Sequence, residues 1–183
     1  MSIVQNDVEA LQALYSNITG INNTASGRQA LGSNIASNNT AIGSGALVAN
    51  TNGTSNTAIG SSALVTNISG SWNTASGVEA LRLNNTGSSN TANGYQALLA
   101  NANGNYNTAN GYQALAANVG GSRNTANGYL ALSANTSGNN NIAIGYIAGD
   151  NITSGSKNIV IGSDIDAPSA TTSNQLSIGN LIF

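Results

Sequence analysis

The sequence predicts an all-β fold, a β-solenoid of about eight to ten coils, and three observations carry that prediction. One 17-residue sentence recurs in phase along most of the chain. Its unit is too short for paired helices. Its fixed columns are small or amide-bearing residues, not charges. The sentence is clearest from Asn90 to Gly138, where Asn-Thr-Ala-x-Gly-x-x-Ala-Leu-x-x-Asn-x-x-Gly-x-x is read three times. Its lead asparagines are Asn90, Asn107 and Asn124. The same phase passes upstream through Asn73, Asn56 and Asn39 and downstream to Asn141 and Asn158. Asn23 lies 16 residues before Asn39, one short of the phase, and Asn6 reads as a degenerate first copy.

Internal repeats decide an architecture before any other signal, and helical repeats run to about 33 residues or more. The Ala-Leu-x-x-Asn piece has the look of a leucine-rich repeat, but the period is below that family's minimum of about 20. One coil per repeat is the remaining solution. Parallel coils stacked at ~4.8 Å would span roughly 40–48 Å.

Residues 1–22 read as an N-terminal capping coil. Ala13-Leu14, Asn17 and Gly20 keep the phase, while Asp7 and Glu9 add charge of the kind that blunts an open end. Val8, Leu11 and Leu14 also fit one short apolar helical face.

Residues 23–162 form the regular array. Side chains alternate along a strand, so in Asn39-Thr-Ala-Ile-Gly43 the Asn, Ala and Gly share one side, and Thr and the fourth residue the other. The column Ala25, Ala41, Ala58, Ala75, Ala92, Ala109, Ala126 and Ala143 holds nothing larger than a methyl until Val160. This predicts close packing against the opposite wall of the coil. The column from Gly27 to Gly162 predicts a corner with positive φ or close backbone approach. A second glycine column, Gly53 to Gly155, predicts another corner. The Ala46-Leu47 to Ala131-Leu132 pairs supply the apolar filling. The column Asn50, Asn67, Asn84, Asn101, Asn118 and Asn135 predicts an internal amide ladder. At ~25 cal/mol per Å² one Leu and two Ala per coil make a thin core, so stacking and oligomerisation are expected to supply the rest.

Residues 163–183 read as a break and a last strand. Thr gives way to Ile at Ile142 and Ile159, which strengthens the strands. Asp164-Ile-Asp-Ala-Pro168 then predicts a loss of period, because proline cannot serve an interior ladder. Asn174 to Phe183 reads as one more strand, and its apolar end is expected to lead into a further region.

Composition narrows the function. Charged residues are 5% of the chain and the net charge is −2, which leaves no electrostatic footprint for nucleic acid. Thirty-two asparagines and few charges could signal disorder, but a disordered tract keeps no phase. No apolar run approaches the ~18 residues of a membrane span, so no membrane insertion is expected, and the start lacks the features of a secretory signal. Cysteine and histidine are absent. Asp150, Asp164 and Asp166 are the one close carboxylate set. Calcium accepts such oxygen ligands, but the plainer reading is a polar break before the proline. No nucleophile has a neighbouring base, so neither an enzyme nor a cofactor is expected.

Two columns bear on binding. Tyr95, Tyr112, Tyr129 and Tyr146 form a stripe that reads either as a platform for sugar rings or as a ladder that stacks on itself. The column Thr24, Thr40, Thr57, Thr74, Thr91, Thr108 and Thr125 is a flat, uncharged array of the kind an ice-binding face needs. Its partner column drifts through Ser, Ile and Asn. Asn-Gly pairs at Asn52, Asn93, Asn103, Asn110 and Asn127 are expected to form turns. Sequons at Asn17-Ile-Thr and Asn67-Ile-Ser follow from the abundance of these residues.

The NTAIG-x-x-AL-x-x-N-x-x-G pattern resembles arrays in bacteriophage tail fibre proteins and related bacterial surface proteins. Those arrays often precede an intramolecular chaperone of the endosialidase type. NIVIGSDIDAPSATTSNQLSIGNLIF resembles the segment between array and chaperone. The NTAIG strand is more distantly similar to the NSVAIG strand of trimeric autotransporter adhesin heads, whose repeat is shorter. The resemblance implies a parallel homotrimer, a place on a virion tail fibre or extracellular surface, contact with other fibre or tail proteins, and a host-surface glycan as ligand. The expected role is a structural and adhesive shaft. The alternative is an ice-binding solenoid.

Overall fold

The computed structural model describes residues 12–179. The expected cap falls largely outside them: Val8 and Leu11 are not among the described residues. Leu14 is, and it has a left-handed backbone, with its amide donating to the Ala30 carbonyl of the next coil.

The described chain is all-β. It winds as a β-solenoid of about nine turns with one three-residue strand per coil. The strands are β1 Thr24–Ser26, β2 Thr40–Ile42, β3 Thr57–Ile59, β4 Thr74–Ser76 and β5 Thr91–Asn93. They continue as β6 Thr108–Asn110, β7 Thr125–Asn127, β8 Ile142–Ile144, β9 Ile159–Ile161 and β10 Leu176–Ile178. All ten pair in parallel, in chain order, as one sheet. Equivalent residues are partners: Thr40 opposes Thr57, Ala41 opposes Ala58 and Ile42 opposes Ile59. Thr24 opposes Thr40, so the 16-residue step is absorbed without loss of register. The missing residue lies in the loop Asn34-Ile35-Ala36, where other coils have Asn-x-x-Gly. The Ala36 carbonyl still does the work of the glycine, accepting from Asn34 Nδ2 at 2.7 Å and Asn23 Nδ2 at 2.8 Å.

The expected loss of period at Pro168 does not occur. Leu176 opposes Ile159 in register, again 17 residues on. In earlier coils the amide at the equivalent position donates to the following coil, as Ala100 does to Ala116. The two preceding equivalents, Ala134 and Asn151, already make no such backbone bond, and β10 pairs with β9 in register across the coil that holds Pro168.

The core is a narrow column inside the coil. Ala41, Ala46 and Leu47, with their equivalents up to Ala126, Ala131 and Leu132, have no solvent exposure. Burying each Leu contributes about 1.5–3 kcal/mol. Every one of these leucines has a left-handed backbone, with φ of 52° at Leu47 and 54° at Leu115. A bulky residue adopts that region at a cost of ~1–2 kcal/mol. The ladder enforces it here: Leu47 donates to the Ala63 carbonyl of the next coil at 3.0 Å, and its own carbonyl receives the Asn50 amide at 3.1 Å.

The two glycine columns differ in cause. Gly43 has φ 133°, and an added Cβ would lie 2.6 Å from the carbonyl carbon of Gly60 in the next coil. Gly53 has no unusual φ, but a Cβ there would strike the Gly70 carbonyl oxygen and Asn50 Oδ1. The first corner needs both conformation and space, the second space alone.

One core exchange closes the array. The leucine column ends at Gly149, and the emptied volume is taken by Val160 from the Ala column and Ile152 from the Asn column. Val160 Cγ2 and Ile152 Cδ1 lie 3.3 and 3.5 Å from where a Gly149 Cβ would stand. Volume-conserving exchanges of this kind are the ones cores tolerate best.

Candidate functional site

The predicted amide ladder is present and buried. Asn34, Asn50, Asn67, Asn84, Asn101, Asn118 and Asn135 have no exposure. Each Nδ2 from Asn50 onward donates to Oδ1 of the preceding coil, at 2.7 Å from Asn67 to Asn50 and 2.8 Å from Asn118 to Asn101. The second hydrogen goes to the glycine carbonyl three residues on, as from Asn67 to Gly70 at 2.9 Å. The lead asparagines form a second buried ladder. Asn56 Nδ2 donates to the Gly70 carbonyl, and the Asn56 Oδ1 accepts from the Asn73 backbone amide at 3.0 Å. Satisfied polar networks in a low-dielectric interior are strong, and chained amides polarise one another. Asn67 is fully buried in this ladder, so its sequon presents no acceptor to solvent.

The tyrosine stripe lies on the outside. Tyr95, Tyr112, Tyr129 and Tyr146 stack in sequence, with ring centroids 5.1–5.2 Å apart and planes within 12–18°. Each interior ring therefore has its two faces covered by its neighbours. What reaches solvent is a rim of edges and hydroxyls. Tyr146 is the most exposed of the four, at 52%, because Ser163 stands in the next coil in place of a fifth ring. Beside the stripe runs a polar ladder that sequence reading missed. Gln96 Nε2 donates to Glu79 Oε2, and Gln113 Nε2 to Gln96 Oε1, both at 2.6 Å. Its signal was the 17-residue spacing of Glu79, Gln96 and Gln113.

The outer face of the sheet carries the Thr column and its neighbour. Thr40, Thr57, Thr74, Thr91, Thr108 and Thr125 are paired in register. The companion column is Ile42, Ile59, Ser76, Asn93, Asn110 and Asn127. Beyond β7 both columns turn aliphatic, at Ile142, Ile144, Ile159, Ile161, Leu176 and Ile178. All twenty outward strand positions are uncharged. Three Asn-Gly pairs expected in turns lie here instead: Asn93, Asn110 and Asn127 end strands, and only Asn52 and Asn103 lie in loops. The cause is the following glycine, which forms the corner after the strand.

The carboxylates gather at the last coils. Partial burial, a hydrogen bond with Asp166, and the negative charges of Asp166 and Asp164 together push the Asp150 carboxyl above the usual carboxylate range. Among the described residues no three His, Cys, Asp or Glu side chains come together to hold a metal ion. No described helix is long and apolar enough to cross a membrane. A hollow of about 380 Å³ opens beside the first coil, between Tyr15, Gln29, Gly32 and Val48, and among the described residues no carboxylate lines it.

No family model, no curated protein and no solved structure matches the chain.

Proposed function

We propose that the protein is a structural and adhesive shaft of a surface fibre, of the tail-fibre kind that its NTAIG array resembles. The observation that supports this most is the continuous axial bonding. Every described coil is tied to the next by parallel strands, and the interior is crossed by a buried amide ladder from Asn34 to Asn135. Such a rod, roughly 43 Å long at ~4.8 Å per step, transmits force along its axis and offers proteases little loose backbone.

In this reading three copies pack in parallel. The uncharged outer sheet face supports it, since twenty outward positions can be desolvated without burying a charge. The tyrosine rim is the side surface offered to a host glycan, through hydroxyls and ring edges. Light scattering on a sizing column tests the assembly: a mass three times 18.2 kDa is expected. A monomer across the accessible concentration range removes the trimeric shaft.

A second reading, an ice-binding solenoid, is favoured by the in-register Thr column. Regular hydroxyls on a rigid sheet match the kind of surface that orders water. Crystal faceting in the presence of the protein separates the two, because a shaft leaves ice growth unchanged.

A further inference from the structure

We propose that Asn52 and Asn103 form succinimides spontaneously in the folded protein, while Asn93, Asn110 and Asn127 are protected. All five precede glycine. In such a pair the glycine backbone nitrogen attacks Cγ of the asparagine. A C–N bond forms, the nitrogen loses its proton, and the side-chain NH2 leaves as ammonia. Water then opens the five-membered ring at either carbonyl, giving aspartate or isoaspartate. No oxidant and no enzyme enters the balance. A glycine, lacking Cβ, leaves the approach open. The remaining requirements are an asparagine side chain free to turn back and a glycine N–H that is not committed elsewhere.

The fold separates the five pairs on the second count, since among the described residues none of the five asparagine side chains is hydrogen-bonded while the glycine N–H groups differ. Asn93, Asn110 and Asn127 close β5, β6 and β7. Their following glycines, Gly94, Gly111 and Gly128, donate to the carbonyls of Ser76, Asn93 and Asn110 at 2.8 Å. The proton that must leave is held, and the peptide is fixed in the ladder. Asn52 and Asn103 lie in the Asn-x-x-Gly loops and are exposed. Among the described residues, neither side-chain amide is hydrogen-bonded, and the Gly53 and Gly104 amides donate to no partner.

The position gives the reaction a structural effect. The Gly53 carbonyl accepts from Asn39 and Asn50 Nδ2, both at 2.9 Å. The Gly104 carbonyl accepts from Asn90 at 2.8 Å and Asn101 at 3.0 Å. Isoaspartate adds a methylene to the main chain directly before these acceptors and leaves a new carboxylate at the surface. Each event loosens the anchor of both amide ladders in one coil.

The test is peptide mapping by mass spectrometry on the full chain, incubated folded at mildly alkaline pH, with a parallel sample in denaturant. Asn52 and Asn103 should convert at least ~fivefold faster than the three strand asparagines in the folded sample, since releasing a strand glycine breaks at least one bond worth about 1 kcal/mol. The five rates should converge in denaturant. N52Q and N103Q should each remove their own product. Equal conversion at Asn93, Asn110 or Asn127 in the folded sample overturns the proposal. So does the absence of conversion at Asn52 and Asn103 when the denatured sample reacts.

Discussion

Asn101 Nδ2 donates to Asn84 Oδ1 in the preceding coil at 2.8 Å, and to the Gly104 carbonyl of its own coil at 3.0 Å. Its Oδ1 accepts in turn from Asn118 at 2.8 Å. One buried side chain thus joins three coils. Asn101→Ala strands the Asn84 oxygen, at a cost of roughly 1–3 kcal/mol for each buried group left unpaired. Asn101→Asp should be worse, because it removes both donors and buries a charge. Thermal unfolding of the two variants gives the order: wild type highest, then Ala, then Asp.

Ala109 is fully buried between the flanking alanines of β5 and β7. Ala109→Leu forces three extra carbons into a column that holds only methyls from Ala25 to Ala143, and overpacking costs typically ~1–3 kcal/mol. A lowered melting temperature and altered assembly are expected. Unchanged melting and oligomer size would remove the close-packing account.

Gly94 and Gly32 give a matched pair. Gly94 has φ 136°, and a Cβ would stand 2.7 Å from the Gly111 carbonyl carbon. Gly32 has no such φ, and its nearest neighbours would be the Gln29 carbonyl oxygen at 3.2 Å and a Val48 methyl at 3.3 Å. Gly94→Ala should cost more than the ~1–3 kcal/mol of a strained backbone alone, while Gly32→Ala should be the milder. Denaturant midpoints measured side by side would refute this if the two losses were equal.

The raised Asp150 pKa has a pH consequence. A carboxyl that binds its proton more tightly in the folded state loses stability as pH rises through its titration range. The window runs upward from the ordinary carboxylate pKa into mildly acid pH. Asp150→Asn should flatten that part of the stability curve and raise the melting temperature at neutral pH. Melting measured at several pH values in this window checks both statements. An unchanged slope in the variant would place the effect elsewhere.

Much of this fold was legible because each column repeats its own environment. Ala109 sits between two alanines, so a buried methyl column reads directly as a packing limit. The amide ladder was legible for the same reason, since asparagines spaced by one coil face each other. Contacts that cross columns were not legible. Gly149 looks like a lost leucine until the coil closes and brings Val160 and Ile152 beside it. The left-handed Leu47 was also hidden, because its backbone is set by hydrogen bonds to Ala63 and Asn50, not by its own preference. Pro168 was misread from its residue type; β10 pairs with β9 in register across the coil that holds it. In the stripe, spacing placed the four tyrosines together, but only the 5.1–5.2 Å stacking shows that ring faces are taken and rims are free.

The sameness of the coils creates an addressing problem during folding. A strand such as Thr108–Asn110 would find the same partners in either neighbour of its true neighbour, so a slip by one whole coil loses almost no local bonding. The sheet alone cannot count. The irregular places can: the shortened Asn34–Ala36 loop near one end, and the Gly149, Ile152 and Val160 exchange near the other. Each fits only its own neighbours. These odd coils serve as landmarks that fix the numbering of the identical ones between them. Whole repeats could then be added or lost between the landmarks, changing the molecule's length in equal steps without rewriting either end.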